Sequence, residues 1–297
     1  MTRKGWLLFV AMSVVWGIPY FFIKIAVREL DPITIVFARV VIAAIVLVPV
    51  AIQRKQLKPV YKRWKTIIPL SLIQIVIPFL LISYGELHIA SSLTSLLIAA
   101  EPMLVALLAL RFDASERVRG LRLIGLVIGM VGVITLLGFD VGRDEQGLLG
   151  AGFVLLATAS YAAAALAVKR PTIAALPSLG VVTAECLVST LVLAPLALTR
   201  LPSHAPSLNV IITLLILGLI CTALAYLLFF ALIAEVGASR GIVFTYVNPA
   251  ISVLLGVAVL GELLTLLTVA GFVLIIIGSW LSTGGALSLS LAKVRQG

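Results

Sequence analysis

Apolar runs recur along this chain at the length a lipid bilayer demands, and almost nothing is left between them for a soluble domain. At 1.5 Å rise per residue, about 20 apolar residues cross the hydrocarbon core of a membrane as a helix. Runs bounded by charge, Pro or Gly lie near 6–27, 32–52, 66–88, 91–110, 121–139, 148–168, 178–199, 209–234, 239–260 and 264–284. The pattern predicts an all-α integral membrane protein of ten transmembrane helices. Composition removes the soluble alternative: 62% of residues are apolar, 11% are charged and the mean hydropathy is +1.24. No water-soluble fold hides that much apolar surface. Arg3 and Lys4 before a long apolar stretch resemble a secretion signal, but no small-x-small cleavage site precedes Arg28. The stretch is therefore read as a first permanent span.

The net charge of +10 is spread through short loops. It speaks to topology, and no nucleic-acid partner is expected. With a cytoplasmic amino terminus, seventeen of the 22 basic residues fall in inner segments, six of them between Arg54 and Lys65. Three, Arg28, Arg143 and Arg200, fall outside, and Lys24 and Arg39 fall within spans. This bias places both termini inside, in a multi-pass protein of the inner or plasma membrane. The outer loop around Asp140, Asp144 and Glu145 is acidic. Cys186 and Cys221 both sit in apolar runs, so neither a structural disulfide nor a metal cluster is expected, and no cofactor.

Self-comparison at an offset of 145 to 147 matches along the whole chain. Trp16, Tyr20 and Lys24 fall on Tyr161, Ala165 and Lys169, and Pro32 falls on Pro177. Thr94 and Glu101-Pro102 fall on Gly241 and Asn248-Pro249, and Gly125 and Gly132 on Gly271 and Gly278. Residues 1–139 and 148–284 thus form two five-helix repeats, followed by a cytoplasmic tail, 285–297. Five is odd, so the second repeat enters the membrane from the opposite side. Inverted repeats are characteristic of secondary transporters, because the halves can exchange inward-open and outward-open shapes at little energetic difference.

These residues resemble the EamA branch of the drug/metabolite transporter superfamily, over essentially the entire chain. The matching features are Trp16-Gly17 within span 1, the turn Gly237-Ala238-Ser239, Asn248-Pro249 within span 9 and Gly261-Glu262 closing it. The first half echoes them with Ser91-Ser92, Glu101-Pro102 and Glu116, but has Ser115-Glu116 where the second has Gly-Glu. The resemblance implies metabolite export or exchange, with a central cavity lined by spans 1, 3, 4, 6, 8 and 9. Similar proteins include exporters of amino acids, aromatic ones among them.

Ser13, Trp16, Tyr20 and Lys24 recur every three to four residues on one face of span 1, and Thr158 and Tyr161 repeat that face in span 6. Trp16 lies near mid-span, where a cavity wall suits it better than an interfacial belt. Thr94 and Glu101 are seven apart, like Gly241 and Asn248, so each pair is expected on one helical face. Pro102 and Pro249 are expected to kink spans 4 and 9 near mid-membrane and to free carbonyls for water, a side chain or a ligand. The competing reading is a packing kink, with Asn248 holding a neighbouring helix. Glu101 is the one acidic residue near the predicted midplane and is a candidate for a substrate amine or a coupling proton. Gln74, Pro78 and Leu81 share a face, as do Thr222, Tyr226 and Phe229. Together with Thr245 and Tyr246, these side chains complete the expected substrate site. A direct Arg39–Glu185 salt bridge is not expected, since the two lie at opposite depths. Arg39 is assigned to an outer vestibule or the headgroups, and Lys24 to snorkelling. The series Gly125, Gly129, Gly132 reads as scaffold or dimer contact.

The function expected is export of a small organic metabolite by alternating access, with aromatic or hydrophobic amino acids favoured. Export of a sugar, nucleoside, cationic compound or drug, and passive uniport or channel conduction, stay open. An enzyme is not expected, since His88 and His204 both sit at outer helix ends and no metal-spaced cluster is visible. The expected partners are the solute, the bilayer and a candidate coupling proton, in a monomer or homodimer.

Overall fold

The computed structural model describes residues 2–112, 121–138, 144–202, 204–237 and 242–282, and among these every regular element is helical. Among the described residues, seven helices are long and apolar enough to cross a membrane: α1 Arg3–Ala26, α2 Pro32–Gln53, α3 Trp64–Gly85, α4 Ser91–Ala109, α6 Glu145–Val168, α7 Ser178–Leu198 and α8 Leu208–Val236. Three shorter apolar helices accompany them, α5 Leu121–Leu136, α9 Phe244–Leu260 and α10 Leu266–Ser282, and two short helices, Leu57–Tyr61 and Pro171–Ala174, lie between α2 and α3 and between α6 and α7. These boundaries agree with the apolar runs to within a few residues.

Local chemistry sets the helix starts. Thr2 accepts from the Gly5 amide to open α1, Asp31 accepts from Ile33 ahead of Pro32 to open α2, and Ser207 accepts from Val210 to open α8. Each satisfies a first-turn N–H that has no intrahelical acceptor. The helices are also interrupted. α1 bends at Ile18-Pro19, α3 passes through a π-helical stretch at Leu72–Val76, and α8 through a longer one at Ile216–Leu224. α4 breaks at Ala99-Ala100 and restarts at Glu101. α9 begins as a 3-10 turn, Ile242–Tyr246, and restarts at Asn248. The expected kinks at Pro102 and Pro249 therefore take a specific form: each proline occupies the first turn of a restarted helix, where its missing N–H removes no hydrogen bond.

α5 and α10 form the most extensive helix pair. A Cβ on Gly278 would collide with the Gly129 backbone, and one on Gly132 with the Gly271 carbonyl, so the glycine series brings the two backbones together within one chain. α2 packs on α7 and α8, α3 on α6, α1 on α8 and α9, and α4 on α6 and α9. Large apolar side chains such as Leu7, Ile45, Leu191, Leu254 and Leu266 point outward, as lipid contact requires.

Candidate functional site

One end of the bundle is laced shut. The Glu262 carboxylate accepts from the Ser91 amide (2.7 Å), the Ser91 hydroxyl (2.8 Å) and the Ser92 amide (2.9 Å). The residue closing α9 thereby caps the N-terminus of α4. Burial alone would lift the Glu262 carboxyl; the hydrogen bonds from Ser92 and Ser91 outweigh it and hold the group below the ordinary glutamate value. Gly261 supplies the left-handed backbone (φ 68°) that turns the chain, and a Cβ on Gly256 would strike the Glu262 carboxylate. At the same end Glu29 accepts from the Ser207 amide (3.0 Å) and hydroxyl (2.7 Å), and Arg200 pairs with Asp31 at 3.7 Å. The Ser207 bonds hold Glu29 below the ordinary carboxylate range. Lys24 joins them: its ammonium donates to the carbonyls of Glu86 (2.5 Å) and Ile89 (2.8 Å), just past the end of α3. The snorkelling expected of Lys24 is thus replaced by capping of carbonyls that lack helical partners.

The middle of the bundle holds an aromatic group and a polar group. Trp16 on α1 lies 5.7 Å from Tyr226, 5.3 Å from Phe229 and 5.4 Å from Phe244, ring centre to ring centre. The α1 and α8 faces expected from spacing do meet, and Phe244 of α9 completes the enclosure. Tyr161 packs against both the α2–α3–α7–α8 core and the core that includes Tyr20. Asn248, oriented to satisfy its neighbours, donates to the carbonyls of Phe244 (3.0 Å) and Ser13 (3.1 Å). Its amide thus joins α9 to α1 and partners a carbonyl near the Pro249 break. The Ser13 hydroxyl turns back to Phe9, and buried Thr94 to Ala90. Because α4 breaks between them, Thr94 and Glu101 lie on separate helical segments. Glu101 is half-buried and opens the second segment. Thr245 and Tyr246 are half-buried in the 3-10 turn of α9. Gly241, Ser115, Glu116, Ala238 and Ser239 lie outside the described residues.

Arg39 departs furthest from expectation. It is 6% exposed, its Nε donates to Thr222 at 2.8 Å, and its guanidinium lies 3.9 Å from the centre of the Phe79 ring. It therefore reaches neither a vestibule nor the headgroups. The π-helical stretch of α8 carries Thr222 and the Cys221 carbonyl to α2, and Phe79 of α3 covers the cation. Glu185 on α7 is fully buried with both carboxyl oxygens unpartnered, so it makes no direct pair with Arg39, as its depth implies. The Gln74 carbonyl oxygen is likewise buried without a partner, inside the π-helical stretch of α3, and Pro78 beyond it is buried. Thr222, the Cys221 carbonyl and the Phe79 ring thus enclose a cation that the sequence pattern leaves outside the site.

At the end opposite the lacing, a cavity of about 960 Å³ opens between α3, α4 and α6, with the start of α5 and the end of α10 completing its wall. Its apolar lining includes Leu70, Ile73, Pro102, Val105 and Leu166; its cations are Lys65, Arg122, Lys169 and Arg170. Pro102 places its floor beside Glu101. The lining draws on spans 3, 4 and 6 of the six expected and takes nothing from α1, α8 or α9, whose aromatic residues close on one another. The cavity holds room for a small solute.

The EamA-like transporter family matches residues 3–138 and 148–284. The chain belongs to this family. An uncharacterized transporter of Archaeoglobus fulgidus is 26% identical over 278 residues, covering 94% of this chain and 98% of the relative. The uncharacterized transporter YoaV of Bacillus subtilis is 23% identical, covering 92% of this chain and 94% of its own. The uncharacterized inner membrane transporter YedA of Escherichia coli is 24% identical over 86% of this chain and 82% of its own. A solved crystal structure superposes with a TM-score of 0.67 at 18% identity, covering 97% of this chain and 99% of that chain, and shares the fold. This EamA-like chain is a multi-pass membrane protein whose relatives are named as transporters.

Proposed function

We propose that this EamA-like protein is a secondary transporter that exports a small organic metabolite, with aromatic or hydrophobic amino acids favoured, by alternating access. In this reading the ten helices form two inverted five-helix repeats, both termini are cytoplasmic, and the Arg3/Ser282 end faces the cytoplasm. One observation carries it: the end holding Glu262, Glu29 and Lys24 is cross-linked by charge-assisted hydrogen bonds, while a solute-sized cavity opens at the other. That is the geometry of an inward-facing carrier state. The aromatic group around Trp16 and the polar group around Arg39 lie between the two ends, where a solute in transit would be held. The two family matches, one to each half, support the repeat.

The test is counterflow in proteoliposomes. Vesicles preloaded with unlabelled phenylalanine, leucine, a sugar or a nucleoside are offered the labelled solute outside, with and without a pH gradient. Transient uphill accumulation with one amino acid supports a carrier of that class, and flux that neither saturates nor accelerates on preloading points to a channel. Glu101→Gln is expected to remove the pH dependence while leaving the protein folded; undiminished proton-coupled flux in that variant rejects Glu101 as the coupling group.

A further inference from the structure

The cavity at the Arg3/Ser282 end has a one-sided charge. Lys65 comes from the first turn of α3, Arg122 from the first turn of α5, Lys169 from the end of α6, and Arg170 from the residue after it. No acidic side chain lines the cavity among the described residues. Orientation in the membrane explains basic residues near this end but does not require four of them, from three separate segments, to converge on one hollow. Two of them also stand at the electropositive starts of helices, where cations are disfavoured and anions are stabilised. Neither α3 nor α5 carries an acid in its first turn, and α3 has no side-chain cap. Lys169 and Arg170 make no ion pair with any described acidic group. The field inside the cavity is therefore positive from side chains and helix ends together, above an apolar wall.

We propose that this cavity is a binding site for an organic anion. Lys65, Arg122, Lys169 and Arg170 hold a carboxylate or phosphate at the mouth, and the apolar body of the ligand lies along Leu70 and Leu166. The Arg170 guanidinium suits planar, bidentate recognition of a carboxylate or phosphate, and the neighbouring cations add point charges. The inference deepens the transport reading, since it names the chemistry by which the cytoplasmic face would collect its solute, and it rests on that reading for the direction the mouth faces. The same chemistry is offered by a soluble metabolite and by an anionic lipid headgroup.

Equilibrium binding to the full chain in phosphatidylcholine nanodiscs tests the site without requiring transport. Phenyl phosphate and benzoate are expected to bind saturably, and the neutral benzyl alcohol is not. The double variant Lys169→Gln/Arg170→Gln, at exposed positions, is expected to raise Kd roughly tenfold. The swap Lys169→Arg/Arg170→Lys, which keeps both charges and one guanidinium, is expected to raise Kd less than the Gln double variant does. Absence of saturable anion binding, or unchanged affinity in the Gln double variant, overturns the site. Repeating the titration with phosphatidylglycerol in the nanodisc separates the sources: a raised Kd identifies the lipid headgroup as the occupant, and an unchanged one the soluble anion. Anion binding without counterflow leaves the site standing and rejects the carrier; counterflow without anion binding does the reverse.

Discussion

Removing the Glu262 carboxylate should unlatch the start of α4 in a way hydrogen exchange can read. The Ser91 and Ser92 amides open a helix and have no intrahelical acceptor, so their protection depends on the two Glu262 oxygens at 2.7 and 2.9 Å. Each hydrogen bond to a charged acceptor contributes about 1.5–3 kcal/mol. The carboxylate is only half-buried, so water replaces part of that, and about 2–3 kcal/mol for the clasp follows. In Glu262→Ala these two amides should exchange roughly 30- to 150-fold faster, since 1.4 kcal/mol is a factor of ten. Gly256→Ala should give the same change with the carboxylate retained, because its Cβ occupies the space of that carboxylate. Acid should reproduce it. The carboxyl is held below its ordinary value of 4.5, so the clasp contributes fully above that pH and is lost as pH falls through the lower folded-state value. Residue-resolved exchange in nanodiscs supplies the readout. Unchanged Ser91 and Ser92 exchange in Glu262→Ala would refute the clasp as a force holding α4 to α9.

Three further outcomes follow from the packing. Trp16→Ala removes the centre of the aromatic group and should destabilise the detergent-solubilised protein by about 3 kcal/mol, with Trp16→Phe milder, checked by thermal unfolding. Arg39→Lys keeps a charge but loses the bond to Thr222 and the stacking on Phe79, so it should lower both thermal stability and transport; wild-type values for both would show that the guanidinium geometry does not matter. Gly278→Leu should force α5 and α10 apart and abolish recovery of folded protein in size-exclusion chromatography, whereas Gly152→Leu, where a Cβ meets nothing within 4 Å, should be tolerated.

The helices and their approximate ends are legible because membrane insertion is governed by apolar run length and by the charges, Pro and Gly that bound each run; the caps Asp31 and Ser207 emerge only in the structure. The glycine series was readable as a close-contact seam, although only the structure assigns it to α5 against α10 rather than to a dimer. The α1 and α8 aromatic faces were readable from spacing; Phe244 was not, because it lies in a 3-10 turn whose period differs. Arg39 and Lys24 depart from the pattern of their sequence for one reason. A charged residue in an apolar run is assumed to seek water, but a π-helical stretch on α8 and open carbonyls past α3 offered each a partner that no local pattern announces. Glu262 is legible as part of a Gly-Glu pair, yet the amides that donate to it lie 171 and 170 residues away in sequence. The basic cavity is not legible for a similar reason: its four cations come from three segments far apart in sequence and read individually as topology signals.

Two units threaded oppositely through the bilayer require both chain ends on the same side, and substituted-cysteine labelling measures this most directly. Cys186 and Cys221 are buried, so single reporters can be placed at Thr2, Arg200 and Lys293 and treated with a membrane-impermeant maleimide on intact cells. Labelling at position 200 alone, with positions 2 and 293 reacting only after the membrane is opened, is the predicted result. Labelling of one terminus and not the other in intact cells would contradict the inverted repeat and the carrier built on it.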